Sequence, residues 1–168
     1  MPLLNVETSS QRAEHPLDVV ERTAFLNDWR FDRLDLDEMS VTVAGRWAAY
    51  QVSFTWLEEV EAIHIGCAFD LRMREARLTE VLRLLSLVNQ QLLVGHFDFW
   101  PSENIVVFRH ALILADGAEP NPGQCETLLQ AAVETCERYF QALQFVTWSD
   151  KSAREALDYV LFETEGTA

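Results

Sequence analysis

A chain of 168 residues, 49% hydrophobic and carrying 5 Trp and 10 Phe, suits one domain with a real core and excludes disorder over most of its length. Its 27 acidic residues against 13 basic ones leave a formal charge of -14. That argues against nucleic acid or an anionic membrane as partner, since both require clustered Lys and Arg.

The first 14 residues are polar, and a flexible N-terminal segment is expected there, ahead of a single domain over 15–165. The opening "MPLLNVETSSQRAEHP" has neither the cationic start nor the apolar run of a signal peptide. No stretch approaches the roughly 20 apolar residues of a membrane span. The expected compartment is the cytoplasm. Pro16 fits the first turn of a helix, where its missing N–H costs nothing, and the helix should run to Asn27 or Asp28. Its apolar residues fall on two sides: Leu17, Val20 and Ala24 on one, Val19, Phe25, Leu26 and Trp29 on the other. One core needs one stripe, so the second side, Trp29 included, is a candidate surface for a second subunit.

From Phe31 the period changes to two. "MSVTVAG", "AAYQVSFTW" and "EAIHIGCAF" read as three strands of a half-buried antiparallel meander. A helix over 74–93 follows, with a broad leucine and valine face. Asn89 interrupts that face, either as an amide satisfied by nearby backbone or as a polar group fixing a partner's register. Leu87 stands alone on the polar side and is a candidate partner contact.

The stretch Gly95 to His110, "GHFDFWPSENIVVFRH", concentrates reactive-looking groups. Pro101-Ser102-Glu103-Asn104 is a strong turn signal, and a two- or four-residue loop pairs Trp100 with Ile105. His96, Asp98 and Arg109 then share a face, with Asp98 and Arg109 close enough to pair. His110 looks to the other side, so the two histidines cannot share a metal; a three-residue loop would reverse that parity. The ordinary reading is a structural hairpin bearing a polar patch. The alternative is a small enzyme or a ligand- or metal-binding protein using His96, Asp98 and Arg109.

The loop "DGAEPNPG" leads to a helix over 123–143, then an extended "FVTW" and a last helix opened by the Ser152–Glu155 capping box. The tail "ETEGTA" is expected to fray. His64 and Cys67, three apart on a strand, point to opposite faces and form no dyad. Cys125 and Cys136 lie about 16 Å apart along a helix and cannot bond to each other. The three cysteines have no CxxC and indicate neither a disulfide framework nor a zinc knuckle. Asp35-x-Asp37 lacks the glycine and distal glutamate of a calcium loop. No cofactor motif is present.

The order of elements is α+β, an antiparallel sheet of about five strands with flanking helices. The phrases "HPLDVVERTAFLNDWRFDR", "VGHFDF", "VVFRHAL" and "CERYF" make the chain resemble the YbjN-domain family of bacterial proteins, putative sensory transduction regulators, from about His15 to the C-terminus. The resemblance implies a fold similar to type III secretion chaperones, often dimeric, with no active site to carry over. The functional expectation is a non-enzymatic protein-binding or regulatory module, a homodimer without a cofactor, engaging an unidentified polypeptide partner.

Overall fold

The computed structural model describes residues 12–165; most of the expected N-terminal segment and the end of the tail lie outside them. Arg12 is held rather than loose, its guanidinium 2.9 Å from the Glu61 carboxylate and stacked over the Trp56 ring. Helix α1 is Pro16–Leu26, opened by Pro16 and by His15, whose Nδ1 accepts the Leu17 N–H. Its apolar residues divide less evenly than two stripes imply. Leu17, Val19, Val20 and Ala24 are buried, whereas Phe25 and Leu26 are 73% and 71% exposed. Trp29 packs partly against the core.

The strands are β1 (Arg30–Asp35), β2 (Glu38–Ala44), β3 (Ala49–Leu57), β4 (Ala62–Ala68), β5 (His96–Trp100) and β6 (Ile105–Ile113). They form one antiparallel sheet in the order β1-β2-β3-β4-β6-β5. The expected meander and hairpin are both present, joined through β4 and β6. A sixth strand is added at the edge: β1, "RFDRLD", carries charges at four of its six positions, as edge strands do to discourage further pairing, and this hides its period.

Helix α2 is Leu78–Asn89, shorter than expected. Leu92 and Leu93 therefore leave the helical face, and Leu93 is fully exposed. Within α2 the stripe is Val81, Leu84, Leu85 and Val88. Leu82 on the expected apolar side is exposed, while Leu87 is half-buried against the core. Helix α3 runs Pro122–Trp148 from an Asn121–Gln124 capping box. The expected extended "FVTW" is its last turn. Val146 and Thr147 are fully buried, continuing the stripe through Leu143, and Thr147 donates its hydroxyl to Leu143 O at 2.6 Å. Burial of those two residues overrides the strand preference of β-branched side chains. Helix α4, Ala153–Glu165, opens on the expected reciprocal box: Ser152 N–H donates to Glu155 and Glu155 N–H to Ser152 Oγ.

Helices α1, α2 and α3 pack on one face of the sheet, and α4 packs on α2 and α3. The core lies between sheet and helices, where Tyr50, Phe54, Ile63, Ile65 and Phe108 are almost wholly buried, each contributing about 1.5–3 kcal/mol of transfer free energy. The other sheet face is left to solvent among the described residues.

Candidate functional site

The turn over residues 101–104 closes β5 onto β6 with Trp100 opposite Ile105 and Asp98 opposite Val107. This is the four-residue register, so the expected parity holds. Phe97, Val106 and Phe108 enter the core. His96, Asp98 and Arg109 lie on the open face, where His96 pairs across from Arg109. His110 is on the helix side. Because β4 lies directly beside β6, the open face gains a residue the sequence reading left out of the patch. His64 pairs with Ala111 and sits diagonally from Arg109. Its position on that face was legible from strand alternation; its neighbour was not, because the two strands are distant in sequence.

Arg109 organises the patch. Its Nη1 lies 3.2 Å from Asp98 Oδ2, its Nε donates to His64 Nε2 at 3.1 Å, and its Cζ sits 5.7 Å from the Trp100 ring centroid. Asp98 Oδ1 accepts the Phe99 N–H at 2.9 Å. Burial, then the Arg109 charge, holds the His64 imidazole below its ordinary pKa of 6.5, so its neutral form accepts from arginine. These groups are engaged with one another on a flat surface. His96, Asp98 and Arg109 do not line the clefts beside Tyr50, Leu112, Phe145 or Leu87. Among the described residues no cluster of three His, Cys, Asp or Glu side chains could hold a metal ion.

Cys67 is on the dry face, away from His64, and its thiol contacts that of Cys136 on α3. All three cysteines are fully buried. Burial raises the pKa of Cys136 and pushes Cys125 up to about 11, which keeps both thiols protonated and unreactive. The Cys67–Cys136 contact was not foreseen, since nothing local in either segment signals it.

Asn89 is the satisfied amide of the two readings. Its Nδ2 donates to Phe97 O at 2.9 Å and its Oδ1 accepts the Phe97 N–H at 2.8 Å. The side chain thus occupies the outer edge of β5 as a further strand would. Glu137 plays a similar part at the β2–β3 turn, accepting the Arg46 and Trp47 N–H groups at 3.1 and 3.2 Å. Tyr50 approaches Glu137 without closing a hydrogen bond, and burial together with that carboxylate raises its pKa. A cleft of about 670 Å³ opens where β3 and β4 splay beyond Val52 and Cys67, floored by Tyr50, Phe69 and Phe140.

Large apolar side chains come to the surface in several places, two of which are the end of α1 and the outer side of the α3–α4 hairpin. At the end of α1 they are Phe25 and Leu26. On the outer side of the α3–α4 hairpin, Phe145, Trp148, Tyr159 and Phe162 are 36%, 58%, 43% and 75% exposed, with the Phe145 and Tyr159 rings 4.6 Å apart. Leu87 borders a groove between α2 and the start of α4 with Glu80, Ser152 and Arg154. No described helix is long and apolar enough to cross a membrane.

No curated protein matches the chain. Among solved structures it is similar to one titled "Crystal structure of YbjN, a putative transcription regulator from E. coli", with a TM-score of 0.54 and 10% identity over 88% of this chain and 93% of that one. At that identity the likeness shows the fold alone. The family model described as "Putative bacterial sensory transduction regulator" matches residues 16–145, most of the chain. The six-stranded sheet and its helices are thus those of a member of the YbjN family, to which this chain belongs.

Proposed function

We propose that this YbjN-family chain is a non-enzymatic regulatory module that works by holding another polypeptide, in the manner of a secretion chaperone. The observation that carries the reading is the aromatic strip on α3–α4. Trp148 and Phe162 spend large apolar area on solvent, and such patches mark interaction sites in soluble proteins. The rim, Asp150, Glu155 and Asp158 against Lys151, is mostly acidic, which suits a basic or neutral polypeptide. The open-face patch does not compete as a catalytic centre, because Arg109 is already committed to Asp98 and His64.

A homodimer in the cytoplasm is the proposed assembly, joined through the exposed Phe25 and Leu26, near which Arg22 and Arg33 are paired with Glu14, Asp18 and Glu21. A photo-crosslinking residue in place of Trp148, used in living cells, should give a discrete covalent adduct with a second polypeptide, and one in place of Asp32 should not. Equal labelling from both positions, or none from Trp148, would remove the basis for the strip. Phe25→Glu with Leu26→Glu should halve the mass seen by light scattering; an unchanged mass puts the dimer elsewhere or nowhere.

A further inference from the structure

The sheet manages its strand edges unequally. The outer edge of β1 is guarded by Arg30, Asp32, Arg33 and Asp35, and that of β5 is plugged at Phe97 by Asn89. Strand β6 outruns β5. Pairing with β5 stops at His96 opposite Arg109, while β4 stays paired to β6 through Ile113. Residues 110–113 therefore keep one backbone edge unpaired among the described residues, and such an edge is a template for an added strand.

Beside that edge lies a cleft of about 420 Å³ between β6 and the first turns of α3. Val94, Leu112, Leu128 and Ala131 supply apolar walls, and Gln124 and Thr127 a neutral polar rim. Val94 is 47% exposed, and Ile113 outside the cleft is 70% exposed. The cleft has no charged lining apart from His110, whose imidazole burial disposes toward the neutral form. Carboxylates predominate beside it in the chain: Asp116, Glu119 and Glu126 stand against Arg109, paired with Asp98, and Arg12, which is paired with Glu61 and donates to Leu114 O and Ala118 O.

We infer that the β6 edge over 110–113 is a strand-addition site for an extended segment of a different protein, apolar at alternate positions and flanked by Lys or Arg. An unpaired ladder selects an extended backbone, and the period of a strand sends every second side chain into the cleft and the others past Ala111 and Ile113. The acidic surroundings select basic flanks and disfavour a second copy, which would bring the same carboxylates to the contact. The inference rests on the polypeptide-holding reading above and names where and how one partner would be held.

The test is titration of the peptide Lys-Lys-Val-Thr-Val-Thr-Val-Lys-Lys into the isotope-labelled full chain, followed by amide NMR. Shifts should concentrate at 110–113 and 124–131. Filling the cleft with Ala131→Trp should weaken binding by about tenfold or more, added salt should weaken it further, and a Glu-flanked analogue should not bind. Shifts centred on α3–α4 would sink the edge site and leave the polypeptide-holding reading standing. No shifts at about 1 mM peptide, or equal binding by the Glu-flanked analogue or by Ala131→Trp, would overturn the inference. So would spontaneous disulfide linkage between two copies of Ile113→Cys.

Discussion

Two neighbouring rows of residues cross all six strands, one position apart. One is Phe31, Val41, Val52, Cys67, Phe108 and Phe97; the other is Asp32, Ser40, Ser53, Gly66, Arg109 and His96. The first lies under the helices and holds the fully buried thiol of Cys67. The second faces solvent and holds His96 and Arg109, two of the groups that look catalytic. A single step along each strand separates dry from wet, so the reactive-looking residues of this chain record which way the sheet faces.

Four perturbations would break or sharpen that contrast. Removing the ring of Phe108, fully buried on the dry row, should cost the most: Phe108→Ala is expected to lose about 3–5 kcal/mol, read from urea unfolding. Asn89→Ala comes next, about 1–3 kcal/mol, since it strips both partners from the Phe97 backbone. It also uncovers the β5 edge, so sedimentation should show concentration-dependent association beyond the parent's own assembly.

On the wet face the effects shrink. His64 has a folded pKa below its ordinary 6.5, so its neutral form is the one the fold prefers. That stabilisation is present above pH 6.5 and is lost as pH falls through the folded value. His64→Gln should therefore flatten part of the decline in melting temperature on the acid side of neutrality; an unchanged decline would place the titration elsewhere. Asp98→Asn should be smallest, about 0–1 kcal/mol and fading with salt, because the Arg109 pair is more than a third exposed.

Alternation and turn chemistry made the strands, the Trp100–Ile105 register and the Asp98–Arg109 pair legible in the sequence. Capping chemistry did the same for Pro16 and for Ser152 with Glu155. What stayed illegible was carried by burial or by contacts between distant segments. Strand β1 was obscured by its own charges, and the end of α3 by β-branched residues that packing holds in a helix. The strip of Phe145, Trp148, Tyr159 and Phe162 depends on how α3 and α4 lean together, which no local pattern encodes.

Glu137 has a consequence for synthesis on the ribosome. The amides of Arg46 and Trp47 wait for a carboxylate some ninety positions downstream, and the contacts between α1 and α3 wait with them. The amino-terminal half can sketch its hairpins while emerging but cannot lock the bend at Gly45 until the long third helix has been translated and swung back over them. Until then the apolar row has only α1 over its β1–β3 part and lacks the cover that α3 gives β3, β4 and β6.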